Sequence, residues 1–589
     1  MKSFLKYFLA SFLAFLIATI IGVFILIGTV SSLVDTEKVV KVKPNSVLKI
    51  TLDKPIMDRA PKNPFAKFSP TNFEPQSSSS LSQILDNIDR AKNDSKIKGI
   101  FLYLDNITAG SATVTEVRNA LASFKDSGKF IISYGNYYSQ KAFYLATVAD
   151  KVYVNPEGMV GMQGLTSQVM FFKKTLEKIG VEPQVIRHGK YKSAVEPFLD
   201  NKMSEANREQ IAAYMGSLWN EILMKVGSSR NLKVDELQRI ADEMLLTNVD
   251  DVVEYNLADG ARYYDQVMDE LKTKAGTGEG EKLAMVTLGD YTHAPKPQKD
   301  KLISKMDKIA VVYAQGQIGA GKGSVDEIGT ENVAKALRKV REDDKVKAVV
   351  LRVNSPGGSA LTSEVIFREV QLVKEKKPVI VSMGDVAASG GYYISCMADT
   401  IVASPNTITG SIGVFGLLFQ ARELIEEKIG INVETVNTAK HADMGSPFRP
   451  LDSKERAAIK KSIEDIYQTF IGHVANGRGM TKEEVDKVAQ GRVWSGRDAL
   501  EIGLVDVLGG LNDAIEIAAE RAGVEDYVIK DLPKQKDPIQ QMLEEFGANA
   551  SMQEIFLENT RLNPYLEHLK SLSQMKGVQM RLPYDIIIE

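Results

Sequence analysis

The sequence predicts an α/β protein made of two tandem copies of one unit behind an N-terminal membrane-spanning helix. Three observations carry this. Residues 96–156 and 345–405 align without a gap at a spacing of 249, placing Gly135 on Gly384, Tyr144 on Tyr393, Asp150 on Asp399 and Pro156 on Pro405. Within each copy, continuous apolar runs alternate with helical stripes, the pattern of a buried, mainly parallel sheet. From Tyr7 to Val34 the chain carries no charged residue.

A helix over residues 7–34 rises about 40 Å, enough to cross a hydrocarbon core of about 30 Å with some tilt. This stretch exceeds the roughly 7–15 apolar residues of a cleavable signal, and its flank lacks a good small-residue cleavage site, so it is expected to stay as an anchor. Lys2 and Lys6 precede it, and Asp35 and Glu37 follow it. That balance puts the N-terminus in the cytoplasm and the bulk of the chain outside, against a weaker opposing bias from Lys38, Lys41 and Lys43.

Past the anchor, residues 47–52 read as a strand and 61–80 as a Pro/Ser-rich loop. In the first copy, Leu81, Ile84, Ile88 and Ala91 form one helical stripe, and Val114, Val117, Leu121 and Phe124 form another. Strands are expected at 100–104 and 130–133. The second copy repeats the rhythm: a strand at 309–314, a helix through Val333, Leu337 and Val340, a strand at 348–353, a helix over 365–373, and strands at 379–382 and 401–403. The stretch 289–308, with two prolines and five lysines, reads as a solvated connection, so the domains are expected at 45–290 and 306–535. Thr481-Lys482-Glu483-Glu484 has the pattern of a capping box ahead of a helix. Residues 536–589 have no counterpart in the repeat and read as an assembly or packing extension.

At 589 residues the chain exceeds one ordinary domain, in keeping with the repeat. A net charge of -3 gives no reason to expect a nucleic-acid partner, and the single Cys396 excludes an internal disulfide and a multi-cysteine metal site.

The two copies differ where chemistry would sit: Ser389 falls on Gln140, and after a one-residue adjustment Lys192 falls on Ala442. Ser389, in Ala388-Ser389-Gly390-Gly391-Tyr392, follows a buried strand at the expected start of a helix, where backbone N–H groups favour a developing anion. Read blandly, it caps a helix beside a tight turn. A serine needs a base to attack a carbonyl. None of the five histidines lies in a catalytic motif, and G-x-S-x-G fails because Ala387 precedes the serine by two. A buried lysine whose pKa is lowered serves instead. Lys190 is matched by Lys440 and so has a shared structural duty, whereas Lys192 is unmatched. In Asn354-Ser355-Pro356-Gly357-Gly358, the glycines can bring a backbone N–H toward the serine and, with the N–H of Gly390, would make an oxyanion hole; read blandly, the segment is a turn. The matching stretch Asp105-Asn106-Ile107-Thr108-Ala109 lacks both glycines.

These segments, above all Tyr191-Lys192-Ser193-Ala194-Val195-Glu196-Pro197-Phe198 together with Ala388–Tyr392, resemble the long form of the signal peptide peptidase A (protease IV) family, of the Clp-protease/crotonase superfamily. The resemblance covers residues 45–535 and the anchor. It implies two tandem Clp-protease/crotonase-like repeats, Ser389 as nucleophile, Lys192 as general base, Gly358 and Gly390 as oxyanion donors, and Ser411 as a hydrogen-bond partner of the lysine. It further implies a single-pass protein of the bacterial inner membrane with periplasmic catalytic domains. Such a protein is expected to be a tetrameric homo-oligomer that digests signal peptides and other hydrophobic peptides without metal or cofactor.

Three rival readings stand beside it. Gly316–Gly323 nearly spells a P-loop but ends in Gly323 where Ser or Thr would hold magnesium. A crotonase-like acyl-CoA enzyme shares the fold without needing the Ser/Lys exchange between copies. A non-catalytic membrane scaffold keeps the repeat for assembly.

Overall fold

The structure is a computed structural model that describes residues 6–8, 11–18, 21, 40–61, 78–278, 280–295, 306–535 and 578–582. Most of the expected anchor, most of the 61–80 loop, half of the connection between the copies and most of the C-terminal extension lie outside these residues. Among the described residues, no helix is long and apolar enough to cross a membrane.

The two copies build two sheets of the same order. The first runs Gly260–Ala261, Lys151–Val160, Phe130–Tyr138, Ile97–Tyr103, Ser46–Ile50, Met285–Thr287, all parallel. The second repeats that path as Val507–Leu508, Thr400–Ala403, Val379–Ala388, Val346–Ser355, Asp307–Gln315, Tyr527–Leu532. Its central strands are fully buried runs such as Ile309–Val312 and Val349–Leu351, which is why the sequence shows continuous rather than alternating apolar residues.

Helices fall on the expected stripes, at Leu81–Asn93, Ser111–Lys125 and Ala360–Lys374. The Thr481 capping box opens the helix Lys482–Val488. One boundary moved with consequence. The strand expected to end at Ser382 continues to Ala388, pairing with Ile408–Gly410 beyond Gly384 and Asp385. Ser389 is thereby delivered at the strand's very end.

The copies are locked together by buried charge. Arg352, 1% exposed, donates to Asp58 at 2.8 Å and to Glu116 at 2.6 Å, both from the first half of the chain. Burial raises the Glu116 carboxyl above the usual range, opposed by the Arg352 charge. Nearby, Thr113 donates its N–H and hydroxyl to half-buried Asp385 at 2.9 and 2.6 Å. Burial likewise raises the Asp385 carboxyl.

A third sheet crosses between the copies, in the order Glu327–Ile328, Gln317–Ile318, Gly357–Ser359, Val578–Arg581, Val414–Gln420, Glu182–His188. The first half's Glu182–His188 pairs antiparallel with the second half's Val414–Gln420 over seven residues. This crossing aims the following loop, and Lys192 with it, at the second copy.

Candidate active site

Ser389 caps a single helical turn, Gly390–Tyr393, with φ 56° and ψ -113°. A left-handed φ on a non-glycine residue costs roughly 1–3 kcal/mol and persists only where neighbours enforce it. Here the Ser389 N–H donates to the Gly410 carbonyl at 2.8 Å, while its own carbonyl accepts from Tyr393 N–H at 2.8 Å. The sharp strand-to-helix turn of a nucleophile is therefore present although the G-x-S-x-G pattern is not. With only one turn of helix, individual N–H groups rather than a long dipole face the site.

Lys192 reaches this serine from the other half. Its side chain is fully buried, and Nζ lies 2.8 Å from Ser389 Oγ and 3.0 Å from both the hydroxyl and the carbonyl oxygen of Ser411. Desolvation holds the amine well below the usual lysine range.

The stem threads between two glycines. A Cβ on Gly491 would lie 2.7 Å from Lys192 Cβ, and one on Gly413 would lie 3.2 Å from Lys192 Cδ. The loop is fixed by Tyr191 N–H to the Gln490 carbonyl at 2.8 Å and by Gln210 Nε2 to the Tyr191 carbonyl at 3.0 Å. Gln210, Asn207, Ser193 and Glu196 form a buried polar network beneath it. Sequence reading missed Gly413 and Gly491, which pack against a lysine more than two hundred positions away, and Asn207 and Gln210, whose helix pattern does not mark them as partners of the Tyr191–Ser193 loop.

Gly357 and Gly358 approach the serine with φ of 96° and 151°, open to glycine alone. A Cβ on Gly358 would come 2.1 Å from the Ile318 carbonyl, and one on Gly357 would come 2.7 Å from the Gly390 nitrogen. The two expected donor segments therefore touch.

The counterparts in the other copy sit in different settings. Gln140 anchors a loop, accepting from the N–H groups of Gln163 and Gly164 at 3.1 Å, and Ala442 is exposed. Lys190 is exposed, with its ammonium over the Tyr191 ring. The glycine-rich stretch 316–323 folds back on the strand Glu327–Ile328, with Gly319 N–H donating to the Ile328 carbonyl at 2.8 Å, and no helix opens at Gly323. It lacks the geometry of a phosphate loop.

A hydroxyl against a desolvated amine, beside glycine N–H groups at the end of a parallel strand, defines a hydrolase of the covalent acyl-transfer class. Comparison with known proteins agrees. The model of peptidase family S49 matches twice, at residues 123–278 and 371–525, and that of Clp protease matches residues 300–409. "Protease 4" of Haemophilus influenzae is 39% identical over 74% of this chain and 71% of its own. The chloroplastic "Serine protease SPPA" of Arabidopsis thaliana is 37% identical over 82% and 70%. "Protease 4" of Salmonella typhi is 38% identical over 76% and 73%. The chain belongs to peptidase family S49 and is a serine peptidase, with one family unit in each of its tandem Clp-protease-like copies. The acyl-CoA and scaffold readings give way to this match.

Proposed function

We propose that Ser389 and Lys192 form the catalytic dyad of an endopeptidase for signal peptides and other hydrophobic peptides. The 2.8 Å contact between Nζ and Oγ, in a pocket that disfavours the ammonium, carries this reading. A neutral amine has two hydrogens and one lone pair. With both hydrogens engaged by the Ser411 hydroxyl and carbonyl, the lone pair faces Ser389. The serine proton passes to Lys192 as Oγ attacks the scissile carbonyl. The N–H groups of Gly358 and Gly390 receive the oxyanion, a contribution of about 3–4 kcal/mol for one such donor. The lysinium then protonates the leaving amine, and water hydrolyses the acyl-enzyme by the same route.

The apolar surroundings of the nucleophile support the substrate class: Ala388, next to Ser389, belongs to a buried cluster with Ile408, Val493, Ile211, Tyr214 and Leu218. In this reading residues 7–34 anchor the chain in a bacterial inner membrane, residues 45–290 carry the base, and residues 306–535 carry the nucleophile on the periplasmic side. A homo-oligomer, a tetramer by family resemblance, completes the assembly. A cleavage profile of the purified full chain in detergent, against apolar and strongly charged peptides, tests it. Preference for small or aliphatic residues before the cut supports the assignment, and preference for charged residues refutes it.

A further inference from the structure

Three side chains of the nucleophile's own copy form a second polar cluster behind Ser389. The Tyr393 phenol, on the single helical turn that Ser389 caps, donates to Glu364 Oε2. Glu364 belongs to the helix Ala360–Lys374, which opens directly after the donor segment Gly357–Ser359. His473 Nε2, from the long helix Ser453–Arg478, lies 3.1 Å from the same carboxylate oxygen, and its ring stacks on Phe367 with centroids 4.0 Å apart. The contact with His473 holds the Glu364 carboxyl below its usual range, while burial and that carboxylate push the Tyr393 phenol up. Near neutral pH a carboxylate therefore accepts from an un-ionised phenol, which is a charge-assisted bond.

That bond ties together the two segments that carry the proposed oxyanion donors. On one side, the Tyr393 N–H donates to the Ser389 carbonyl at 2.8 Å, one of the contacts that enforce the serine's left-handed φ. On the other, Ser363, the residue before Glu364, donates its hydroxyl to the Ser359 carbonyl at 2.9 Å, and a Cβ on Gly390 would lie 2.8 Å from that hydroxyl oxygen. A shift of one helix against the other would move Ser389 and Gly390 relative to Gly358.

The repeat supplies an independent observation. At the spacing of 249, Tyr393 falls on Tyr144, Glu364 on Thr115 and Phe367 on Arg118. The helices Glu205–Arg230 and Ser453–Arg478 have equal length, and in their register His473 falls on Lys225. The copy without the nucleophile keeps the tyrosine, but there its phenol meets the neutral Thr115 hydroxyl at 3.2 Å, and Arg118 lies over its ring. That copy builds the corresponding strand and helix, Phe130–Tyr138 and Gln140–Ala146, without the carboxylate and the imidazole. The acid and the imidazole, like Ser389, are confined to one copy.

We propose that Glu364, held by His473, is a positioning residue for the peptidase reaction: its bond to Tyr393 braces the turn carrying Ser389 against the helix that follows the Gly358 segment. The inference rests on the dyad reading above. Glu364 touches neither substrate nor the reacting atoms. It acts through Tyr393, whose N–H holds the Ser389 carbonyl, so its loss slows the chemical step and leaves the peptide groove in place.

Two measurements on the full chain in detergent decide this. In steady-state hydrolysis of an apolar peptide, Glu364→Thr, which brings in the first copy's residue, and Tyr393→Phe, which removes one oxygen, are each expected to lower kcat about 10- to 100-fold with KM within about twofold, the scale of a small misplacement of reacting groups. The double variant is expected to lose no more than either single one, because both break the same bond. Glu364→Gln, whose amide oxygen still accepts from the phenol, is expected to recover most of the turnover. Unchanged kcat in both single variants, or losses that multiply in the double variant, overturns the proposal. Hydrogen–deuterium exchange decides it independently of turnover. The peptide spanning residues 386–396 is expected to exchange faster in Glu364→Thr and Tyr393→Phe and as in wild type in Glu364→Gln; equal exchange in all of them overturns the brace. Hydrolysis retained by Ser389→Ala counts against the dyad instead, and the exchange comparison still decides the brace.

Discussion

Lys192 Nζ and Ser389 Oγ lie 2.8 Å apart although 197 residues separate them, each supplied by a different copy of the repeat. Neither copy alone holds both groups. Loss of either group therefore has the same consequence. Ser389→Ala and Lys192→Ala are each expected to lower kcat/KM by at least about a thousandfold, with circular dichroism and unfolding close to wild type. Lys190→Ala, altering an exposed side chain two positions away, is expected to retain most activity in the same peptide assay.

The pH profile follows from desolvation of Lys192. In the proposed mechanism the neutral amine is the active form, so activity is expected to rise with pH through its depressed pKa. Stability runs with the same sign. The unfolded chain binds this proton up to about pH 10.4 and the folded chain does not, so burial of Lys192 costs stability that grows as pH falls from there to the folded pKa. Lys192→Met is expected to be inactive yet more stable at neutral pH, by about 0.5–2 kcal/mol in denaturant titration. Unchanged or reduced stability would mean the amine is not desolvated.

Much of this was readable from the residues. The gapless repeat gave the tandem architecture, and the unmatched residues Ser389 and Lys192 pointed to the candidate site. What local pattern hid was long-range. The strand reads as ending at Ser382, yet pairing with Ile408–Gly410 carries it on to Ala388. The strained φ at Ser389 is set by Gly410 and Tyr393, not by flanking glycines at motif positions. Arg352 lies two residues before the Asn354–Gly358 segment, but its partners Asp58 and Glu116 lie 294 and 236 residues away, beyond any spacing rule.

Gly358→Ala is expected to reduce kcat about 100- to 1,000-fold, the cost of losing one oxyanion donor. Its Cβ would meet the Ile318 carbonyl at 2.1 Å and must adopt φ 151°, so the N–H swings from its aim. Steady-state kinetics with kcat and KM resolved are the check. A change confined to KM would contradict the assignment of this donor.

Arg352→Leu is expected to destabilise the protein by about 3–5 kcal/mol, because Asp58 and Glu116 stay buried without their cation. Thermal unfolding is the readout. The triple change with Asp58→Asn and Glu116→Gln is expected to recover part of that loss. Additive losses would show that the three groups do not act as one unit.

Labelling by a fluorophosphonate, mapped by peptide mass spectrometry in wild-type and Lys192→Ala protein, tests the dyad most directly. A single adduct at Ser389 in the wild type, absent at neutral pH from the folded Lys192→Ala variant, is predicted. An adduct on another serine, or equal labelling of Ser389 without Lys192, would contradict it.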